Sequence, residues 1–230
     1  MIDLRGLPPF ATGGNRHCYI HPEDNDKCVK VAREEVMQQR FSRQPWFKKL
    51  LGAARLDDNL QELKGYRQLE KVSSSPELYA HIPRLFGRER TSAGWANVSE
   101  LIRTPEGGVA PNLSQWLVMH GLDDETRHAI TEFQNWLRKH QILTRNLLPH
   151  NLAVKQTANG SRLYIIDGLG APEFLALLYP LAHWRHNYIE RKIRNMNLRI
   201  QWELDGRPGQ WRTAQKAIIA RSKREGHDQS

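Results

Sequence analysis

Asn151 and Asp167 are the two side chains of this sequence best placed to hold a hard cation. One offers a neutral amide oxygen and the other an anionic oxygen, the donor set that suits magnesium. Asn151 closes the run Arg145-Asn146-Leu147-Leu148-Pro149-His150-Asn151, and Asp167 follows the apolar segment Leu163-Tyr164-Ile165-Ile166, at what should be a strand end. A metal held there would serve phosphoryl transfer. That chemistry needs phosphates covered and held by positive charge, a metal anchored by oxygens, and an acceptor hydroxyl aligned. Lys30, inside the apolar run Cys28-Val29-Lys30-Val31-Ala32, is the candidate phosphate contact, and Glu62 is the acid that would orient it. Gly13 and Gly14 would let backbone amides approach phosphates closely. Glu100, within the segment Trp95–Ile102, is a further candidate nucleotide contact. Asn146 occupies the catalytic position: it can orient a hydroxyl but cannot accept its proton.

Each of these residues also has a plainer reading: a hairpin turn for the glycines, a solvent-facing lysine, a surface glutamate at 62, a turn at Asp167-Gly168. Their joint spacing decides between the readings. The elements needed to position them are also legible. A first short strand is expected just ahead of Gly13, then a second at His17–Ile20 and a third at Cys28–Ala32, the last two separated by turn chemistry over 22–26. Helices follow over about Arg33–Arg43, broken at Pro45, and Leu56–Val72, the latter ended by Ser73-Ser74-Ser75-Pro76. The segments His81–Gly87 and Trp95–Ile102 bring the strand count to five. Thr104-Pro105-Glu106-Gly107-Gly108 is a polar connector, so residues 1–103 and 104–230 are read as two lobes sharing a cleft. Beyond it lie helices at Leu113–His120 and Glu125–His140, with Asp123 or Asp124 as cap. A hairpin turning at Thr157–Gly160 comes next, then a basic, Trp-rich helical remainder from about Glu173. Pro172 should open a helix.

At 230 residues and 39% hydrophobic, the chain can build a real core. No run approaches a membrane-spanning length, and Met1-Ile2-Asp3-Leu4-Arg5 lacks an apolar signal core, which points to a soluble cytoplasmic protein. Two cysteines, Cys18 and Cys28, are too few for a disulfide framework. They could face each other on adjacent strands, with reduced thiols the default in the cytoplasm. The net charge of +9 asks for an anionic partner. Arg185, Arg191, Lys192, Arg194 and Arg199, then Arg207, Arg212, Lys216, Arg221, Lys223 and Arg224, concentrate it near the C-terminus. Interleaved with Trp, they could bind nucleic acid by stacking. Alternatively Trp184, Tyr188, Ile193 and Met196 pack a helix while the arginines stay wet.

A strand-rich first lobe and a helical second lobe, joined by a polar hinge, resemble the protein-kinase architecture, and the loop 145–151 resembles its catalytic loop. More narrowly, Gly13-Gly14-Asn15-Arg16-His17-Cys18-Tyr19-Ile20-His21-Pro22-Glu23-Asp24, Cys28-Val29-Lys30-Val31, Glu62-Leu63-Lys64-Gly65-Tyr66, Leu147-Leu148-Pro149-His150-Asn151-Leu152 and Ile166-Asp167-Gly168-Leu169-Gly170 are similar to the YrbL family, the PhoP regulatory network proteins, a branch of the kinase-like superfamily. The resemblance implies an α+β, two-lobed fold with a five-stranded N-lobe and a mainly helical C-lobe, in a cytoplasmic bacterial protein. Members belong to a regulon answering low magnesium and envelope stress. It further implies that Lys30 contacts ATP phosphates, Glu62 holds Lys30, and Asn151 and Asp167 bind magnesium.

Three departures bear on activity. Asn146 replaces the catalytic Asp, Leu148 replaces the lysine that usually follows it, and Thr144 stands where a His or Tyr is common. A positioned base contributes roughly 10²–10⁴-fold, and Leu148 removes a stabilising charge. Nucleotide binding survives such changes better than transfer does. The expectation is therefore an ATP- and magnesium-binding protein that is catalytically weak, or a pseudokinase with a regulatory role. The alternative is an active kinase for a small molecule or envelope sugar, with His150 or the substrate as base. Ala171-Pro172-Glu173 resembles the end of a kinase activation segment, but it lies too close to Asp167 to close one.

Overall fold

Strand alternation puts Val29 and Val31 on one face of a sheet and Cys28 and Lys30 on the other, and the rest of the first unit follows from that division. In the computed structural model, which describes residues 1–49, 52–70, 76–211 and 213–216, the chain divides into two units, Met1–Val109 and Ala110 onward. The expected helix end at Val72, the Ser73-Ser74-Ser75 run, and Arg212, Arg221, Lys223 and Arg224 lie outside the described residues. The first unit holds β1 (Ala11–Thr12), β2 (Arg16–His21), β3 (Asp24–Ala32), α1 (Glu34–Ser42), α2 (Trp46–Lys49), α3 (Asp58–Glu70), β4 (Leu85–Thr91) and β5 (Gly94–Glu100). Its strands form one antiparallel sheet in the order β1-β2-β3-β5-β4. The expected five strands are present, and with the helical second unit the fold is α+β.

Val29 pairs with Val98 and Val31 with Ala96, and these four pack with Ile2, Leu4 and Tyr19 into a core. The N-terminal segment seals this face: Ile2 N donates to Arg90 O at 2.9 Å, Ser92 N to Ile2 O at 2.9 Å, and Leu4 N to Ser92 Oγ at 2.9 Å. The opposite face is polar. Cys18 and Asn97 flank Lys30 in register, and Arg16, Lys30, Asn97 and Ser99 are all buried. Buried polar groups of this kind require partners, which α3 supplies. The turn expected over 22–26 is shorter, because β3 already begins at Asp24; a bulge between Ile20 and His21 takes up the register, and Asp24 is fixed by an ion pair to Lys27 at 2.9 Å.

The second unit contains α4 (Leu113–His120), α5 (Asp124–Lys139), the hairpin β6 (Leu152–Thr157) with β7 (Gly160–Ile165), and α6 (Ala182–Leu204). Both α4 and α5 start on side-chain caps. Asn112 and Gln115 form a capping box, and Asp123 Oδ1 accepts from Thr126 N at 2.8 Å. Ile130, Phe133, Trp136 and Leu137 make the buried stripe of α5, as their spacing requires. The basic helix α6 buries Tyr188, Ile189, Ile193, Met196 and Ile200 while Arg191 and Arg194 stay exposed. The packing reading of that segment therefore holds for Tyr188, Ile193 and Met196, whereas Trp184 is half-exposed and lies against Tyr179 and Tyr188. Pro172 precedes a 3₁₀ turn over Glu173–Leu178. Among the described residues no helix is long and apolar enough to cross a membrane. Phe133 is fully buried, so Phe133→Ala should lower stability by about 3–5 kcal/mol in urea unfolding; a loss under about 1 kcal/mol would show that the α5 core is not as described.

Candidate functional site

Lys30 does not point to solvent. Its Nζ donates to Glu62 Oε1 at 2.6 Å, and both side chains are almost wholly buried. Glu62 projects from the middle of α3, one of the residues that helix buries along with Asn59, Tyr66 and Leu69. The far turn of α3 is pinned where Tyr66 Oη donates to Pro83 O at 2.7 Å. The second oxygen of Glu62 is also used: Arg16 Nη1 donates to Oε2 at 2.9 Å and Asn97 Nδ2 at 3.0 Å. Asn59 and Asn97 close the network, with Asn59 Nδ2 donating to Lys30 O and Asn97 Nδ2 to Asn59 O, both at 2.9 Å. Asn97 Oδ1 is buried without a hydrogen-bond partner among the described residues. Two cations thus share one carboxylate inside the polar face of the sheet.

The electrostatics follow. Burial pushes the Glu62 carboxyl up, but Lys30 and Arg16 outweigh it and bring it down to about 2 from an ordinary 4.5. For Lys30, burial lowers the ammonium's affinity for its proton and Glu62 raises it, with a net rise. The pair is charged on both sides at neutral pH.

The other residues expected in the first unit lie apart from this pair. Gly13 and Gly14 occupy the β1–β2 turn, where Gly13 N donates to Arg16 O at 2.9 Å. Neither has a positive φ, and a Cβ on Gly14 would meet only open space. Glu100, at the end of β5, accepts from Arg84 N at 3.1 Å and ties down the start of β4.

In the second unit the structure brings Asn146, Asn151 and Asp167 together through the backbone. Asn151 ends a 3₁₀ turn at Pro149–Asn151 and donates from Nδ2 to Asn146 O at 3.0 Å, while its own carbonyl accepts from Ile166 N at 3.0 Å. Asp167 lies two residues past the end of β7, half-buried, with Oδ1 accepting from Gly168 N at 2.6 Å. Gly168 is required twice over. Its φ is +81°, and a Cβ there would lie 2.9 Å from Asn146 O and 3.1 Å from Asn146 N. Arg145 N to Gly168 O at 2.7 Å and Gly170 N to Leu143 O at 2.8 Å complete the zipper. From behind, α6 holds the loop, with Tyr188 Oη donating to Thr144 O at 2.9 Å and Lys192 Nζ to Arg145 O. Burial, then the neighbouring Arg191, lowers Lys192 to about 8. His150 is exposed on the turn, and partial desolvation lowers its imidazole.

Magnesium chemistry fits Asn151 and Asp167. The amide nitrogen of Asn151 is committed to Asn146 O, so its oxygen is the atom that would meet a cation were one held there. Among the described residues no cluster of three or more His, Cys, Asp or Glu forms. A two-ligand protein site suits an ion that takes the rest of its shell from water and phosphate oxygens.

Residues 2–201 match the family model described as PhoP regulatory network protein YrbL. The chain belongs to the YrbL family. It is 24% identical over 188 residues to the YrbL protein of Escherichia coli (strain K12), covering 80% of this chain and 79% of that one, and the YrbL protein of Shigella flexneri matches to the same extent. Among solved structures it is similar to the PknI kinase domain of Mycobacterium tuberculosis, with 11% identity and a TM-score of 0.41 over 72% of this chain. That match spans 59% of the kinase chain, less than two thirds of its length. The YrbL resemblance read from the motifs is thereby established. The motif around Arg16 does not disclose its buried bond to Glu62, nor does the sequence alone assign Asn59 and Asn97 to the network. An Asn within the apolar strand Ala96-Asn97-Val98, and another three residues before Glu62 on one helix face, were the available signals.

The depressed Glu62 value gives a signed prediction. Its stabilising contribution, on the order of 3 kcal/mol, is present above pH 4.5 and lost as pH falls toward about 2. Glu62→Gln should cost about 3–5 kcal/mol at pH 7, because Arg16 and Lys30 lose their anion. It should also flatten the stability decline across that acid window. Equal urea midpoints for wild type and variant at pH 7 would remove the network from its place in the fold.

Proposed function

We propose that this YrbL-family chain is a kinase-like cytoplasmic protein that binds ATP with magnesium, and that it is catalytically weak or a pseudokinase with a regulatory role in a stress or low-magnesium response. The observation that carries this reading is the Lys30–Glu62 pair. Removing two charges from water costs several kcal/mol per ion, and apolar replacements often stabilise a fold more. A buried lysine held in one geometry by a helix carboxylate makes chemical sense as a contact for an anionic ligand. Lys30 would meet the nucleotide phosphates, with Glu62 positioning it. Gly13 and Gly14 would offer backbone donors and Glu100 a further contact. Asn151 and Asp167 would hold magnesium, which when bound neutralises phosphate charge and aligns the phosphate oxygens.

Support for weak catalysis comes from the second unit. The Asn146 carbonyl is fixed by Leu148 N and Asn151 Nδ2, and in the proposed catalytic role its amide could orient a hydroxyl but accept no proton. Leu148 adds no charge, and Lys192 is spent on the carbonyl of Arg145. The nucleic-acid reading loses two of its stacking candidates among the described residues, since Tyr188 and Trp202 are buried and Arg199 lies 4.1 Å from the Trp202 ring and 4.9 Å from that of Trp211.

ATP with magnesium should raise the melting temperature by several degrees at millimolar concentration. Lys30→Ala and Asp167→Ala should each abolish the rise, whatever their own melting points. An unchanged melting temperature in the wild type would overturn the reading. Asn146→Asp should create phosphate transfer, measured as ATP turnover or labelled product, that the wild type lacks. Equal turnover in both would favour an active kinase for a small molecule or envelope sugar, with the base supplied by substrate or His150.

A further inference from the structure

The register places Cys18 directly opposite Lys30, and Ile20 opposite Cys28. Cys18 and Cys28 are therefore diagonal neighbours on the polar face of β2 and β3, the face that carries Lys30 and Arg16. Both thiols are free, and they lie close enough for each to alter the other's protonation. Cys18 is half-buried and Cys28 buried. Neither thiol has a part in the nucleotide reading.

We propose that Cys18 and Cys28 form a peroxide-reactive modification site, with Cys18 as the attacking thiol and Cys28 as its resolving partner, and that its oxidation changes the phosphate contact made by Lys30. The second half of this proposal rests on the nucleotide reading; the first does not.

The two sulfurs are unequal in the way such chemistry needs. The thiolate is the nucleophile. The neighbouring Cys28 thiol draws the Cys18 thiol down to about 7; burial opposes this, and Lys30 and Arg16 assist it. Cys18 in turn, with burial, pushes Cys28 up. The Cys18 thiolate attacks one oxygen of a hydroperoxide, forming an S–O bond as the O–O bond breaks, and the departing hydroxide takes a proton and leaves as water. The Cys28 sulfur then attacks the sulfenic sulfur. An S–S bond forms, the S–O bond breaks, and the Cys28 proton leaves with the hydroxyl as a second water. The two electrons lost by the thiols reduce the peroxide. A diagonal pair starts with its Cβ atoms farther apart than the roughly 4 Å a disulfide holds. Closure therefore draws β2 and β3 together at the position where Cys18 faces Lys30.

The test is peptide mass spectrometry of the reduced full chain after treatment with hydrogen peroxide. Wild type should lose both free thiols and yield a Cys18–Cys28 cross-linked peptide that dithiothreitol reverses. Cys28→Ser should stop at a Cys18 sulfenic acid trapped by dimedone, and Cys18→Ser should leave Cys28 unmodified. The proposal is overturned if both thiols survive peroxide that oxidises free cysteine in the same tube, or if Cys28 reacts as fast without Cys18 as with it. For the coupling, the melting shift with ATP and magnesium is compared before oxidation, after it, and after reduction. A shift that falls on oxidation and returns on reduction supports the coupling, and an unchanged shift overturns it. No shift even in reduced protein sinks the nucleotide reading and the coupling together, while the peptide result still decides the thiol chemistry.

Discussion

A single carboxylate organises the first unit. Glu62 accepts from Lys30 with one oxygen and from Arg16 and Asn97 with the other, so β2, β3, β5 and α3 meet at one anion. Without it the polar face of the sheet would bury two cations against a helix that had lost the carboxylate between them. The apolar face is an ordinary packed surface; the polar face exists only because its charges are satisfied in one geometry. Arg16 gives this arrangement its particular character. It fills the second oxygen of Glu62, so the carboxylate is held in place from the β2 side as well as by Lys30.

The second unit reaches its geometry by a different route. The segment from Leu143 to Asn151 is shaped almost entirely by main-chain hydrogen bonds, against Gly168 and Gly170 on one side and through α6 side chains on the other. At residue 146 the carbonyl does the bonding, accepting from Leu148 N and from Asn151 Nδ2, both at 3.0 Å. A change in chemistry at this position therefore need not disturb the loop, which is why Asn146 argues about activity and not about fold.

These two modes explain what the sequence disclosed. Lys30 and Glu62 were legible because each breaks a local pattern, a cation inside a β-branched strand and an acid on a helix face otherwise turned inward. The α4 limits and the Asp123 cap were legible because capping is local. The position of Gly168 could be read as a turn, but the reason for glycine could not, since the obstruction is Asn146, brought there by the fold. Arg16, Asn59 and Asn97 stayed hidden for the same reason: their roles depend on which residues the fold sets side by side, and one residue of slip in the sheet would send Arg16 or Asn97 to the other face. The turn expected at 22–26 was too long because Asp and Asn favour turns on average, while here the bulge after Ile20 lets the ladder continue.

The N-terminal seal has a kinetic corollary. Ile2 and Leu4 complete the apolar core of the sheet, yet the bond that docks Leu4 reaches Ser92, 88 positions along the chain. A segment made well before β5 is thus among the last to find its place, and until β5 has been made the inner faces of Val29 and Val31 have neither Val98 nor a lid. Pairings of such separation are slow to form and leave strand edges exposed meanwhile. For this chain the vulnerable period in synthesis falls before the tenth decade of residues has emerged, and the hazard in it is association through a half-built sheet.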